Sequence, residues 1–283
     1  MKIDIGGGVR LYVDIEGSGL VPEGASMREK PTLLCLHGGP GFDHSGFKPA
    51  FSQLADVAQV VYYDHRGHGR SDPRPPAEWT LDTWADDVVR LCDALGIAKP
   101  IVLGQSFGGM VAQKYLARHP GHPGKVVISS TSAQWVLERK LAMFERRGGA
   151  HARALAEAFW RNPGTGTFQA YWDGCHGLYN TRANADATGG TRMQARLDIL
   201  FHFAGGEIRT MDLAPGLAQA RCPVLVMAGE EDPVCPIADA EDIVAALPVQ
   251  WTQFARFPGV GHGAWRDDPQ GAFEVLKAFI SRE

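Results

Sequence analysis

Short apolar runs alternate with amphipathic stretches along most of the chain. Thr32–Leu36 and Gln59–Tyr63 are apolar at nearly every position, which is typical of strands buried on both faces of a sheet. Residues 80–95 instead carry apolar side chains every three or four positions, with Thr80 as a candidate N-cap and Gly96 at the end. This alternation predicts an α/β protein in which helices cover both faces of a mostly parallel sheet.

The N-terminal part has a different pattern. Residues 1–17 alternate around three glycines, which predicts an antiparallel hairpin at an edge of the sheet. Residues 17–31 show no period and are predicted to form a loop. Further strands are predicted at 125–129, 223–229 and about 249–257, and further helices at about 47–54, 236–247 and 269–282.

The alternation is interrupted once. Residues 133–218 contain several helical stretches and no convincing strand, whereas the strand and helix pattern resumes after them. We therefore expect a core made of residues 1–132 and 219–283, with residues 133–218 inserted as a helical cap.

The apolar run at residues 101–103 continues into Gly104-Gln105-Ser106-Phe107-Gly108, a Gly-x-Ser-x-Gly motif, and an amphipathic helix is predicted directly after it. In a nucleophile elbow, the serine lies on a strained turn between a strand and a helix, and both glycines must be small so that the two elements can approach. The motif alone is compatible with an ordinary glycine-rich turn. Its position between strand and helix favours Ser106 as a nucleophile.

A serine hydroxyl needs a base, and the base needs a third group that orients it. Candidates are the residues that follow parallel strands, since ligands bind at the carboxyl ends of such strands. Asp232 follows the strand at 223–229, and His262 lies between two glycines after the last strand. The chain order Ser106, Asp232, His262 is the order expected with this elbow. The alternative acids are Glu231 as second choice, then Glu230 and Asp64.

Backbone N–H groups are expected to bind the oxyanion formed during acyl transfer. The residue after the nucleophile, Phe107, is one expected donor. The second is Gly39, in the glycine-rich turn of residues 37–41 that follows a buried strand, with Gly38 as the alternative.

Composition narrows the substrate class. Of the 283 residues, 45% are hydrophobic and 21% charged, and the net charge of −4 comes without any block of Lys or Arg. We therefore expect a small-molecule substrate and neither a nucleic-acid nor a membrane surface, while the oligomeric state stays open. The first residues lack the apolar stretch of a signal peptide, so a cytoplasmic location is expected.

Metal and cofactor sites are not indicated. Five cysteines occur without a Cys-x-x-Cys pair, and the ten histidines form no His-Glu-x-x-His motif. This favours free, mostly buried thiols and predicts neither a zinc site nor a disulfide framework. We expect no cofactor.

Together these residues resemble the α/β-hydrolase fold over nearly the whole chain. Within that superfamily, residues 37–41, residues 64–71 and the position of the cap are most similar to the proline iminopeptidase branch. The resemblance implies a serine hydrolase that uses no cofactor and whose active site is covered by the cap. The residues it implies are the triad Ser106, Asp232 and His262 and the oxyanion donors Gly39 and Phe107.

The sequence also departs from that branch, whose aminopeptidases commonly hold the substrate amino group with acids from the cap and from beside the triad acid. Here Pro233 follows Asp232, and Gln105 and Phe107 occupy elbow positions where Gly and Trp are frequent. Glu207 is a candidate cap acid. Esterases, lactonases and carbon–carbon hydrolases of the fold often carry elbows like this one.

The leading hypothesis is a serine hydrolase that cleaves a small ester, lactone or amide through an acyl-enzyme on Ser106. The alternatives are a proline iminopeptidase-type aminopeptidase and a ligand-binding receptor without catalysis. Aromatic residues of the cap segment are expected either to line an apolar substrate pocket or to form the core of the cap. The candidate substrate contacts are Gly38, Phe168, Tyr171, Trp172, Tyr179 and Glu207.

Overall fold

The computed structural model describes residues 1–183 and 189–282. The predicted cap, 133–218, and the predicted core segment, 219–283, each include positions outside these ranges. The strands are β1 (Lys2–Asp4), β2 (Arg10–Glu16), β3 (Leu20–Glu23), β4 (Ser26–Glu29), β5 (Thr32–Leu36), β6 (Gln59–Tyr63), β7 (Ile101–Gln105), β8 (Lys125–Ser129), β9 (Val224–Gly229) and β10 (Thr252–Phe257).

The helices lie mainly between these strands. They are α1 (Leu81–Leu95), α2 (Phe107–Arg118), α3 (Leu137–Arg161), α4 (Thr165–Cys175), α5 (Gly189–Arg192), α6 (Leu197–Gly205), α7 (Ala214–Leu217), α8 (Ile237–Ala246), α9 (Ala264–Asp267) and α10 (Pro269–Ser281). Short 3-10 helices span His44–Phe47, Ala50–Asp56, Pro76–Glu78, His176–Leu178, Glu207–Arg209 and Val249–Trp251.

Eight strands form one sheet in the order β1-β2-β6-β5-β7-β8-β9-β10. The first two pairs are antiparallel, and all pairs from β6 to β10 are parallel. The predicted edge hairpin and the predicted fold class are therefore confirmed. Because the parallel strands end at the same edge, the residues that follow β5, β7 and β9 come together there.

Successive side chains of the central strands contribute to two different cores. Leu34 and Leu36 pack in the core shared with α1, α2 and α8, whereas Leu33 and Cys35 pack in the core shared with α10 and the 3-10 helix at Ala50–Asp56. This alternation is the period of two expected of strands covered on both faces.

Three predicted elements differ from the structure. Residues 17–31 form β3 and β4, an antiparallel pair separate from the main sheet, and its side chains are mostly exposed, so no apolar alternation marks it. The helix predicted at 47–54 is instead two 3-10 helices on either side of Lys48 and Pro49. The last strand begins at Thr252, because a 3-10 helix precedes it.

Between β8 and β9, helices α3, α4 and α6 build a third core of their own. Phe144, Phe159, Tyr171 and Leu200 are among its buried side chains. Helix α3 is interrupted at Gly149, which has a φ of +73°. In the described part of residues 133–218 we find no strand, apart from a single bridge between Gln134 and Asp212. The domain boundaries themselves stay a prediction.

The five cysteines are free and buried, in agreement with their scattered spacing. Across the two described ranges, no helix is both long and apolar enough to cross a bilayer.

Candidate active site

The turn between β7 and α2 has the strained geometry of an elbow. Ser106 has φ +56° and ψ −117°, a conformation rare for residues other than glycine. A Cβ atom at Gly108 would overlap the carbonyl oxygen of Leu36, and one at Gly104 would overlap that of Gly108. The Ser106 N–H donates to the carbonyl of Ser129 (2.9 Å), which ties the turn to β8. The two glycines thus allow strand and helix to approach.

Asp232 and His262 lie together at the ends of β9 and β10. Nδ1 of His262 is 2.8 Å from Oδ2 of Asp232, which is fully buried. Oδ1 of Asp232 accepts the backbone N–H groups of Val234 and Cys235, both at 2.8 Å. Because the ionised carboxylate accepts hydrogen bonds without donating any, His262 carries its proton on Nδ1 and leaves Nε2 as an acceptor.

The alternative acids have other partners. Glu231 pairs with Arg146 at 2.6 Å, and Glu230 pairs with Arg256 at 3.2 Å. Asp64 accepts hydrogen bonds from His44. Asp232 is thus the acid that contacts the histidine in this structure.

Gln105 is a neighbour of the histidine that sequence reasoning noted only as a departure from the family pattern. Its Nε2 lies 3.2 Å from Nε2 of His262, so the amide donates to the free nitrogen of the ring. Among the described hydrogen bonds we find none between the Ser106 hydroxyl and His262. The amide of Gln105 is therefore hydrogen-bonded to Nε2 of His262, the atom that would accept the proton of Ser106.

The predicted oxyanion donors lie on two different segments, the turn after β5 and the beginning of α2. Phe107 is the first residue of α2, so its N–H has no acceptor within the helix. Gly39 has a φ of +130°, in the region that favours glycine, and no hydrogen bond from its N–H is found within the described ranges. Both residues line a small cavity of about 30 Å³ that also reaches Ser106. The rest of this cavity is mostly apolar.

A larger cavity of about 160 Å³, here called the main cavity, also opens onto Ser106 and His262. It is lined by the predicted oxyanion donor Gly39 and by most of the predicted substrate contacts, namely Gly38, Phe168, Tyr171, Trp172 and Tyr179. Phe168, Tyr171 and Tyr179 also pack in the third core. The aromatic side chains therefore both stabilise the inserted helices and face the cavity.

Glu207 lies outside both cavities. Its Oε2 accepts the backbone N–H of Leu81 at 2.9 Å, at the beginning of α1. Burial raises the pKa of Glu207, and this hydrogen bond from Leu81 opposes the shift. The structure therefore does not bring Glu207 to the other candidate residues, because the turn after α6 directs it to α1.

Two basic residues of the main cavity were missed by sequence reasoning. Arg266 follows His262 by four positions, on α9, and His176 stacks on Trp172 with ring centroids 3.9 Å apart. Burial lowers the pKa of His176, and the nearby Arg266 and His262 lower it further. The only sequence signal for Arg266 is its place just after the predicted histidine.

The loop that carries His262 is bound to the end of the inserted helices. The N–H of His262 donates to the carbonyl of Tyr179 at 2.7 Å, and Nδ2 of Asn180 donates to the carbonyl of His262 at 3.0 Å. The rings of Tyr179 and His262 also meet edge to face. The position of the histidine therefore depends on this segment.

Asp267 connects the same two segments. Its carboxylate accepts the backbone N–H groups of Gly261 (2.7 Å), Thr181 (3.0 Å) and Arg182 (2.9 Å), as well as the amide of Asn180. Burial alone would raise the pKa of Asp267, but these hydrogen bonds outweigh it and lower the pKa. No sequence pattern identifies such a residue, because its partners are backbone groups.

Replacing Asp267 by Asn is expected to destabilise the protein by about 2 kcal/mol or more at neutral pH, since an amide cannot accept all these hydrogen bonds. The lowered pKa means that the ionised group stabilises the fold above its unfolded pKa of about 3.9. That contribution disappears as the pH falls through the folded-state pKa. The difference in the free energy of unfolding between variant and wild type should therefore shrink below about pH 4.

Urea unfolding of both proteins at several pH values measures this difference. Glu274→Gln, on the exposed face of α10, is the control and should change stability little. A difference that stays constant down to pH 3 would contradict the assigned role of the Asp267 carboxylate.

Within residues 1–183 and 189–282, no group of three or more His, Cys, Asp or Glu side chains is placed to hold a metal ion.

Comparisons with known proteins find a matching family and several similar chains. A family model described as the alpha/beta hydrolase fold matches residues 31–269. A proline iminopeptidase of Levilactobacillus brevis is 33% identical over 259 residues, which cover 84% of each chain. A putative carbamate hydrolase RutD of Caulobacter sp. strain K31 is 28% identical over 96% of each chain. An esterase from Exiguobacterium antarcticum superposes with a TM-score of 0.74 at 20% identity, over 100% of this chain and 99% of that one.

Proposed function

The chain belongs to the α/β-hydrolase family, and on this basis we propose that it is a serine hydrolase that cleaves a small ester, lactone or amide through an acyl-enzyme on Ser106. The observation that carries the proposal is the buried hydrogen bond between Asp232 and His262 beside a serine in elbow geometry. This arrangement supplies a nucleophile, a base and a group that orients the base.

In the proposed reaction, the hydroxyl oxygen of Ser106 attacks the substrate carbonyl while Nε2 of His262 takes the proton. The amide of Gln105, 3.2 Å from that nitrogen, must yield this position to the serine hydroxyl. The carbonyl oxygen of the substrate becomes negative and accepts hydrogen bonds from the backbone N–H groups of Gly39 and Phe107.

The tetrahedral adduct then collapses and the bond to the leaving group breaks. His262 returns its proton to the leaving group, and a water molecule, deprotonated by the same ring, attacks the acyl carbon. The second adduct then collapses: the bond between the acyl carbon and the Ser106 oxygen breaks, and His262 gives its proton to that oxygen, which releases the acid. Asp232 stays ionised and stabilises the imidazolium in both halves of the reaction.

The charges around the main cavity favour an ester, lactone or non-prolyl amide over an N-terminal prolyl amide. An aminopeptidase needs a free carboxylate to hold the substrate ammonium. Asp43 is the acid among the described residues that line the main cavity, and its oxygens accept from Arg70 and Ser45. Arg266, on the same wall, would repel an ammonium group.

The aminopeptidase reading remains the second candidate, because the proline iminopeptidase relative matches most of both chains. We would compare turnover of 4-nitrophenyl acetate and butyrate with turnover of prolyl 4-nitroanilide. Fast ester cleavage with a silent anilide is expected. Efficient anilide cleavage would favour the aminopeptidase, and the absence of turnover on all three would favour a narrower substrate or a receptor.

A fluorophosphonate probe gives a second readout, since it reacts with an activated serine whatever the natural substrate is. Mass spectrometry of the labelled peptide is expected to place the adduct on Ser106. A protein that neither reacts with the probe nor cleaves the esters would contradict the proposed mechanism.

A further inference from the structure

Arg266 lines the main cavity and has no acidic partner among residues 1–183 and 189–282. Within the described ranges, no carboxylate lies within ion-pair distance of its guanidinium, and no side-chain hydrogen bond involves it. Other arginines near the site are paired, as Arg70 is with Asp43 at 2.7 Å. A partly buried charge without a counter-ion is costly unless a ligand supplies one.

Asp267, next to Arg266 in the chain, and Asp43, the acid among the described residues that line the main cavity, already have other partners. Asp267, its neighbour, directs its carboxylate to the backbone of Gly261, Thr181 and Arg182. Asp43, which also lines the main cavity, accepts from Arg70 and from the hydroxyl and N–H of Ser45. Neither carboxylate is therefore free to neutralise the guanidinium.

The guanidinium is nevertheless held in place. It lies over the ring of Trp265, 5.2 Å from the ring centroid. A Cβ atom built at Gly46 would lie 3.9 Å from Nη2, so the turn at Gly46 packs close to the guanidinium. Burial lowers the pKa of Arg266, and the charge of Asp267 opposes this shift. The group stays protonated, because arginine titrates far above neutral pH.

We propose that Arg266 binds a carboxylate of the substrate, so that the enzyme prefers acid-bearing esters or amides. This inference rests on the proposed function, because it assigns a substrate class to the same site. A guanidinium binds a carboxylate through two parallel N–H···O bonds, which fixes orientation as well as charge. A single guanidinium beside the buried Asp43 matches a monoanion better than a phosphate dianion.

The same geometry assigns the carboxylate to the leaving group. His262 and Arg266 both line the main cavity, whereas Phe107 lines the small cavity. The group that leaves must lie near His262, which protonates it. The acyl group then occupies the small, mostly apolar cavity of about 30 Å³, which suits a short acyl chain.

The test measures binding separately from catalysis. Calorimetry on the Ser106→Ala protein would compare 4-acetoxybenzoate with 4-acetoxybenzamide, which differ in charge and hardly in shape. We expect the benzoate to bind at least about tenfold more tightly, which corresponds to about 1.4 kcal/mol. Adding Arg266→Gln should reduce the difference to less than about threefold, and Arg266→Lys should keep part of it.

Matched controls test whether the carboxylate preference comes from Arg266 and from the leaving-group side of the substrate. Arg256→Gln, on the exposed side of β10, should leave the preference unchanged. The hydrogen glutarate ester of 4-nitrophenol carries its carboxylate on the acyl side and should show no Arg266-dependent gain over the corresponding glutaramate ester. Phenyl phosphate should bind more weakly than benzoate.

The results separate the two proposals. The inference would be overturned by equal binding of 4-acetoxybenzoate and 4-acetoxybenzamide, or by a preference for the benzoate that survives Arg266→Gln. It would also be overturned by an Arg266-dependent gain for the acyl-side carboxylate, or by phenyl phosphate binding more tightly than benzoate. A carboxylate preference in the Ser106→Ala protein would support the inference even if the unmodified enzyme cleaved no ester, and that silence would count against the proposed hydrolysis alone.

Discussion

Replacing Ser106 by Ala is expected to lower kcat/KM for 4-nitrophenyl butyrate by about 10⁴-fold or more. Alanine is nearly as large as serine but lacks the nucleophilic hydroxyl. Only the oxyanion donors and the binding contacts then remain to accelerate the reaction. Burst kinetics and steady-state rates of wild type and variant measure the loss. Reactivity with the fluorophosphonate probe should disappear with it.

The folded state of this variant must be checked, because Ser106 has a φ of +56°. Alanine meets the same backbone strain as serine, so the melting temperature should stay within a few degrees of the wild-type value. A folded Ser106→Ala protein that keeps substantial esterase activity would show that another residue is the nucleophile.

Replacing Asp232 by Asn is expected to lower kcat by about 10³- to 10⁴-fold, a loss of about 4 to 5 kcal/mol of transition-state stabilisation. Oδ1 accepts two backbone N–H groups, from Val234 and Cys235, so the amide oxygen of Asn must take that position. Its NH₂ group then faces Nδ1 of His262. The ring must accept there and carry its proton on Nε2, which can no longer deprotonate Ser106.

Glu231→Gln is the matched control, since the neighbouring acid pairs with Arg146 at the surface. It should keep kcat within about twofold, as most surface ion pairs contribute little. NMR of the imidazole nitrogens would reveal the change of tautomer in Asp232→Asn. Comparable losses of activity in both variants would contradict the choice of Asp232 over Glu231.

The sequence predicts the parts of this molecule whose signal is local. Short sequence patterns predict the buried strands, the elbow around Ser106 and the order of the candidate triad. This works because strand burial and tight turns restrict the types of adjacent residues. Gly104 and Gly108 are an example, since their small size is required by contacts at the turn itself.

Features that depend on the direction of a side chain are not predicted. Glu207 was expected near the substrate and contacts Leu81 instead, 126 positions away. The approach of Gln105 to His262, and the lack of an acidic partner for Arg266 among the described residues, depend on where distant segments place their side chains. The β3–β4 pair is missed because an exposed strand pair carries no apolar period.

The hydrogen bonds that join residues 179–182 to Asp267 and to the backbone of His262 limit how such a protein can be recombined. An inserted segment of this kind invites exchange between relatives as a way to change specificity. Here a transplanted segment that shifted the backbone carbonyl at position 179 and lacked the side-chain amide of Asn180 would leave the loop of His262 without these hydrogen bonds. Any chimera of this enzyme has to inherit its insertion and the residues 261–267 as one unit.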